Sequence, residues 1–206
     1  MLRRPVVAGR FYSGSAAALK AEVEKYVKPC EAKKKVLGVV SPHAGYVYSG
    51  PVAGDLFSQI VVPGTAVILA PNHTGVGADF ALWSSGHWRT PLGDVEVDEE
   101  LADRLYTSCD LLEEDADAHH GEHSAEVQVP FLQYFNPGVR IVGIVIRSHK
   151  LDELKELGQR LADGVKALRP DALIVASSDM THYEPVAAAK QKDDLAIHKI
   201  LGLDED

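Results

Sequence analysis

Four side chains that can bind metals or move protons follow short apolar runs of this sequence. They are His43, which follows residues 36–40; His73, which follows residues 66–70; and Asp179 and His182, which follow residues 172–176. Runs of this length, rich in Val, Ile and Leu, are typical of strands buried on both faces of a parallel sheet. Because open α/β sheets bind ligands beyond the carboxyl ends of their strands, we expect these side chains to meet in one cleft.

The residue types suggest two kinds of chemistry. Neutral imidazole is the commonest metal ligand, and a catalytic metal ion takes about three protein ligands and keeps one position open. His43 and His73 could be two of these ligands, although a pair of histidines is equally compatible with hydrogen-bonded loop residues. Asp179 could orient His182, three residues later, as a general base, or the same segment could be the entry turn of a helix.

A second group of histidines and carboxylates occupies residues 119–126. It does not match the H-E-x-x-H zinc motif, in which two histidines lie on one face of a helix around the glutamate. We interpret His119 and His120 as parts of a solvated acidic loop. Glu122 and His123 could be part of a metal site or of the loop.

Composition places the chain among ordinary globular proteins. It has 206 residues, of which 46% are hydrophobic, and its formal net charge is −9. The acidic balance disfavours nucleic-acid binding and docking on anionic membranes. Since we find no secretory signal and no apolar stretch close to the ~20 residues of a membrane span, and since Cys30 and Cys109 fit reduced thiols, we expect a soluble, cytoplasmic protein. The oligomeric state is not indicated.

Predicted strands and helices alternate along the chain, which favours an α/β fold: a three-layer sandwich with a mainly parallel central sheet. Strands are predicted at 36–40, 66–70, 79–84, 94–97, 139–146 and 172–176, and helices at 15–27, 49–60, 98–108, 124–135, 151–168 and 185–201. We expect residues 79–97 to add an antiparallel edge, Asp98 to cap a helix, and Pro130 to interrupt one. We predict a single domain over residues 1–206.

Six segments together resemble the Memo family, in the order in which that family carries them. They are AGRFY at 8–12, SPHAGYVYSG at 41–50, PNH at 71–73, WRTPLG at 88–93, EHSAEVQVPFLQ at 122–133 and SSDMTHY at 177–183. The resemblance implies a fold like that of the class III extradiol dioxygenases, with iron or copper in a cleft. It implies that His43 and His73 ligate the metal and that Asp179 and His182 form a catalytic acid–base pair. It also assigns four residues to substrate binding: Phe11, Tyr48, Glu122 and His123.

In the Memo family a cysteine from a C-terminal segment completes the ligand set. Neither Cys30 nor Cys109 lies in the matching region. We therefore expect these 206 residues to lack a C-terminal portion of the Memo-like domain, and the third metal ligand with it.

Three functions are compatible with these features. The first is a non-haem iron- or copper-dependent redox enzyme, similar to a dioxygenase, acting on an unknown small substrate. The second is a binding module that holds a peptide or a phosphorylated ligand in the same cleft without turnover, as resemblance to a signalling member of the family suggests. The third is a metal-dependent hydrolase.

Overall fold

The computed structural model describes residues 1–205, so Asp206, the last residue of the predicted domain, lies outside the described residues. Within that range the strands are β1 (Leu2–Arg3), β2 (Gly38–Ser41), β3 (Thr65–Pro71), β4 (Phe80–Trp83), β5 (His87–Thr90), β6 (Gly93–Glu96), β7 (Glu113–Glu114), β8 (Arg140–Ile146) and β9 (Leu173–Ser177). The helices are α1 (Ala16–Tyr26), α2 (Tyr46–Gln59), α3 (Glu99–Ser108), α4 (Asp117–His120), α5 (Val129–Phe135), α6 (Leu151–Leu168) and α7 (Val186–Gly202). A 3₁₀ turn, Glu126–Gln128, leads into α5.

The main sheet has the strand order β2-β9-β3-β8-β4-β7. Strands β2, β9, β3 and β8 are parallel neighbours, whereas β4 runs antiparallel to β8. The predicted antiparallel edge is therefore partly right, since β4 supplies it. Strands β5 and β6 instead form a hairpin that joins β1 in a separate sheet.

Helices flank the main sheet. Helices α1, α2 and α5 pack against one another, and α3 packs against α6. The contact between α1 and α2 is close because a Cβ atom at Gly50 or Gly54 would collide with Tyr26. Apolar side chains of β3 and β8, including Val67, are fully buried in the core. The predicted three-layer α/β sandwich with a mainly parallel sheet is confirmed.

The first apolar run differs from its prediction. It forms β2 at the edge of the sheet, with β9 as its neighbour, and is not buried on both faces. Val40 keeps 37% of its surface exposed, and Leu37, just before the strand, keeps 78%. An edge strand has a neighbouring strand on one side only. Its Val-rich composition does not distinguish it from a central strand such as β3.

Helix boundaries mostly follow the predictions. The Asp98 carboxylate accepts the N–H of Leu101 and caps α3 as expected. Pro130 does not interrupt a helix, because it lies in the first turn of α5, where the missing N–H breaks no hydrogen bond. Helix α7 forms close to its predicted bounds, but none of its described residues is buried. No helix within residues 1–205 combines the length and apolar character that crossing a bilayer demands.

Arg3 makes a buried ion pair that joins distant parts of the chain. Its side chain is 1% exposed, and its Nη1 lies 2.7 Å from Glu126 Oε2. Its other nitrogens donate to the backbone carbonyls of His119 and Glu122, and the guanidinium carbon lies 4.3 Å from the centre of the Trp88 ring. The Arg3 side chain therefore attaches β1 to the segment 119–126.

Glu126 is satisfied by further donors besides Arg3. Its carboxylate accepts the N–H groups of Val6 and Val7 and the hydroxyl of Tyr12. Burial, followed by the charge of Glu126, raises the pKa of Tyr12, so the phenol stays protonated and remains a donor. A charge buried this deeply is tolerated only because it is paired and hydrogen-bonded.

We expect Arg3→Met to lower the free energy of unfolding by ~3–5 kcal/mol, because it leaves the Glu126 carboxylate buried without its cation. Urea unfolding followed by circular dichroism measures this loss. The control is Arg89→Met, which removes an ion pair with Asp94 whose side chains are 50% and 37% exposed. Its expected cost is small, because water screens an ion pair at the surface. Equal losses in the two variants would contradict the structural role of Arg3.

Candidate metal centre

The carboxyl ends of β2, β3 and β9 lie at the same edge of the sheet. Ser41 and Ser177, the last residues of β2 and β9, are register partners, and the N–H of Ser178 donates to the Ser41 carbonyl. The segments that follow these strands line a cleft of about 880 Å³. The polar side chains in its wall include His43, His73, His123, Asp179 and His182.

Three histidines form a cluster in this cleft. The ring centroids of His73 and His123 are 4.8 Å apart, and those of His43 lie 5.2 Å from His73 and 5.8 Å from His123. One ring nitrogen from each residue lies within 4.8 Å of the other two. The side chain of His43 is 3% exposed, that of His123 22% and that of His73 41%, so the cluster is reached from the cleft. This group could hold a metal ion.

His43 has one ring nitrogen engaged and one free. Its Nδ1 lies 2.9 Å from Ser177 Oγ, whereas its buried Nε2 has no hydrogen-bond partner among residues 1–205. Burial lowers the pKa of His43 to about 4, although the charge of Asp179 acts in the opposite direction. The ring is therefore neutral at pH 7, as a metal ligand must be. Because a buried nitrogen without a partner is costly, ligation by Nε2 would remove that cost.

Glu122 is buried against the other two histidines. Its Oε1 lies 2.9 Å from His73 Nδ1 and accepts the N–H groups of His123 and Ser124. Burial alone would raise the pKa of Glu122, but these hydrogen bonds, with that of the His73 side chain foremost, lower it to about 2. The ionised carboxylate accepts the Nδ1 proton of His73 and leaves Nε2 of that ring as a potential ligand.

Asp179 and His182 share the cleft without a direct hydrogen bond. Asp179 Oδ2 lies 3.7 Å from His182 Nε2 and 3.8 Å from His43 Nε2, which is too far for one. Asp179 Oδ1 accepts the backbone N–H groups of His43 and Ala44. His182 Nδ1 lies 2.8 Å from the carbonyl of Met180, which can only accept. That carbonyl, rather than the expected carboxylate, orients the His182 ring and leaves its Nε2 unprotonated in the neutral form.

The remaining residues assigned by resemblance lie around the histidines. Phe11 meets His123 edge to face, with ring centroids 4.8 Å apart. Tyr48 lines the cleft from α2 and is 79% exposed. Tyr183, which the sequence did not single out, also lines the cleft and is fully exposed. The substrate-binding roles of Phe11, Tyr48, Glu122 and His123 stay predictions, and His123 also belongs to the histidine group that could hold a metal ion.

The interpretation of His119 and His120 as one solvated loop is half wrong. His120 is exposed, but His119 is fully buried, with Trp83 and Trp88 packed edge to face against its ring. Its Nε2 lies 3.0 Å from the carbonyl of Ala81, to which it donates. The acidic residues next to His119 in sequence suggested exposure. Its burial comes from tryptophans of β4 and β5, which are distant in sequence.

Two further polar residues, Ser177 and Gln128, lie near His43, and the sequence did not lead us to expect that they support it. Both are buried; Ser177 directly follows the apolar run of β9, and Gln128 lies between two valines just before α5. A buried polar residue inside an apolar run needs a partner, and that was the signal available in the sequence.

Comparison with known proteins gives a consistent picture. A family model described as "Memo-like protein" matches residues 3–206. A MEMO1 family protein of Sulfurisphaera tokodaii is 42% identical over 225 residues, which cover 99% of this chain and 78% of the relative. One from Pyrobaculum aerophilum is 44% identical over 216 residues, covering 99% and 77%, and one from Methanothermobacter thermautotrophicus is 39% identical over 217 residues, covering 100% and 78%.

The buried His119 predicts a pH dependence of stability. Burial lowers its pKa from 6.5 to about 4, so its contribution is complete above pH 6.5 and is lost as the pH falls toward 4, because between these values the unfolded chain takes up the proton and the folded chain does not. This residue should account for about 2 kcal/mol of the stability lost between pH 7 and pH 5. We expect His119→Phe to remove that part of the loss in urea unfolding at the two pH values.

The adjacent, exposed His120 provides the control. The variant His120→Phe should lose as much stability between pH 7 and pH 5 as the wild type does. If His119→Phe also keeps the full wild-type loss, His119 is not the group responsible.

Proposed function

This chain belongs to the Memo-like family, and we propose that its cluster of His43, His73 and His123 binds iron or copper and oxidises a small substrate in the cleft, with dioxygen as the oxidant that takes up the electrons. The proposal rests on the buried Nε2 of His43, which faces two further histidines and has no hydrogen-bond partner among residues 1–205. A bound iron or copper ion supplies one-electron redox chemistry and open coordination positions for a substrate.

The chemistry of the donors fits such an ion. Imidazole nitrogen suits iron and copper, and three protein ligands leave coordination positions free. In this proposal His123 is the third ligand, in the place for which the sequence led us to expect a cysteine. The carboxylates of Glu122 and Asp179 offset the positive charge of a cation next to the neutral rings.

His182 is proposed to move a proton at its Nε2. Since Nδ1 donates to the Met180 carbonyl, Nε2 of the neutral ring has a free lone pair. It can therefore accept a proton from a substrate that lies in the cleft. Asp179, whose Oδ2 lies 3.7 Å away, then stabilises the imidazolium by its charge.

Metal binding is tested with the single variants His43→Ala, His73→Ala and His123→Ala. We expect the wild type to bind one Fe(II) or Cu(II) per chain and each variant to bind at least about 100-fold more weakly, because removing a ligand should cost no less than removing its outer hydrogen-bond partner. Isothermal titration calorimetry under argon gives the affinity and stoichiometry of metal binding. Elemental mass spectrometry of the purified protein identifies the bound ion.

The matched control is His198→Ala, which removes an exposed histidine from α7. It should bind metal like the wild type. Wild-type affinity in His43→Ala or His73→Ala would refute the site, and wild-type affinity in His123→Ala alone would remove His123 from the ligand set.

A second candidate function is ligand binding without turnover. The aromatic side chains of Tyr48 and Tyr183 are exposed where they line the cleft, and exposed aromatic residues of this kind favour contact with a peptide. The second candidate differs from the first in needing no proton transfer at His182.

Oxygen consumption distinguishes the two functions. The metal-loaded wild type, His182→Ala and His198→Ala are each supplied with a panel of catechols and thiols. We expect turnover by the wild type and by His198→Ala, and a loss of roughly 10²–10⁴-fold in His182→Ala, the usual contribution of a general acid or base. Equal rates in wild type and His182→Ala, together with tight binding of a peptide, would favour the binding module.

A further inference from the structure

The hydroxyl of Ser177 contacts three groups that come from two other parts of the chain. Its Oγ lies 2.8 Å from the carbonyl oxygen of Ser124, 2.8 Å from Nε2 of Gln128 and 2.9 Å from Nδ1 of His43. Ser177 ends β9 and His43 follows β2. Gln128 ends the 3₁₀ turn, and Ser124 lies two residues before that turn begins. The side chain is 5% exposed, so these groups must satisfy one another.

The roles of donor and acceptor in this cluster follow from the chemistry of each group. A hydroxyl has one proton to donate and can accept two hydrogen bonds. The Ser124 carbonyl can only accept, so it receives the Ser177 proton. The other two neighbours of Ser177 Oγ must then be donors.

The orientation of the Gln128 amide supports this assignment. Its Nε2 lies 2.9 Å from the carbonyl of Pro42 and 3.3 Å from that of Ser41, in addition to Ser177 Oγ. Turning the amide over would place its oxygen against two carbonyl oxygens, which cannot donate. The amide therefore donates one proton toward Ser177 and the other toward the carbonyls.

We infer that Ser177 is a positioning residue, which holds neutral His43 in the tautomer with its proton on Nδ1. The one role left for His43 Nδ1 is that of donor to Ser177 Oγ, so the lone pair of the ring lies on the buried Nε2. Free neutral histidine can carry its proton on either nitrogen, whereas this hydroxyl selects one form.

The selected tautomer makes the Nε2 lone pair of His43 available for ligation even in the metal-free protein. With the proton on Nδ1, Nε2 faces the cleft cluster as an acceptor with no partner among the described residues. The purpose of this arrangement rests on the proposed metal function, but the tautomer itself is a property of the protein without metal. Outer hydrogen bonds of this kind fix the tautomer and the direction of a ligating imidazole.

Nitrogen NMR of the metal-free protein at pH 7 tests the tautomer directly. With ¹⁵N-labelled histidine, the His43 resonances, assigned by their loss in His43→Ala, should show the proton bound to Nδ1. A proton on Nε2 in the wild type would overturn the inference whatever the variants do.

Ser177→Ala should lose the single tautomer and bind Fe(II) or Cu(II) roughly 10–100-fold more weakly than the wild type. Ser177→Thr keeps the hydroxyl and should restore both the tautomer and most of the affinity. The matched control is Ser41→Ala, at the register position beside Ser177. It removes another buried hydroxyl, which has no hydrogen-bond partner among residues 1–205. It should retain the wild-type tautomer and affinity.

The outcomes separate this inference from the proposed function. An Nδ1 proton in a wild type that binds no metal would support the role of Ser177 and refute the metal site. Tight metal binding by both wild type and Ser177→Ala, with an unchanged tautomer, would refute the role of Ser177 and leave the metal site standing.

Discussion

The buried guanidinium of Arg3 is the interaction on which the arrangement of the cleft depends. It pairs with Glu126 and donates to the carbonyls of His119 and Glu122, so one side chain holds both ends and the middle of the segment that contributes Glu122 and His123. That segment has little regular structure of its own. Its position against the ends of β2, β3 and β9 is fixed by these charge-assisted bonds, which are among the stronger hydrogen bonds in proteins.

Much of the frame could be predicted from the sequence because its signals are local. Apolar runs of strand length predicted strands near their observed positions, the helix predicted at 151–168 forms as α6, and the ends of three strands predicted where polar side chains would meet. Burial was less predictable, because it depends on neighbours that are distant in sequence. The same type of apolar run became an edge strand at Gly38–Ser41 and a central strand at Thr65–Pro71.

The candidate site was predicted in part for the same reason. His43 and His73 directly follow strands, so their convergence could be inferred. His123 lies in an irregular segment whose path is determined by Arg3 and by the bond from Ser124 Oγ to the Pro71 carbonyl, neither of which is visible in a local pattern. The orientation of His182 by a carbonyl, in place of the expected Asp179 carboxylate, likewise depends on the turn that its own loop adopts.

Electrostatics unite these features into one account. Burial keeps His43 neutral, hydrogen bonds keep Glu122 ionised, and the hydroxyl of Ser177 and the carboxylate of Glu122 each accept a hydrogen bond from Nδ1 of a histidine. Two rings are thereby left with unprotonated Nε2 atoms beside negative charge, with His123 next to them. Such an environment attracts a cation and offers it nitrogen ligands that need not first lose a proton.

Anomalous diffraction from crystals equilibrated with Fe(II) or Cu(II), recorded on both sides of the absorption edge of the metal, tests the central claim most directly. The account predicts one strong anomalous peak in the cleft, within coordination distance of a ring nitrogen of each of His43, His73 and His123. A fully loaded crystal whose peak lies elsewhere, or that shows no peak in the cleft, would contradict it.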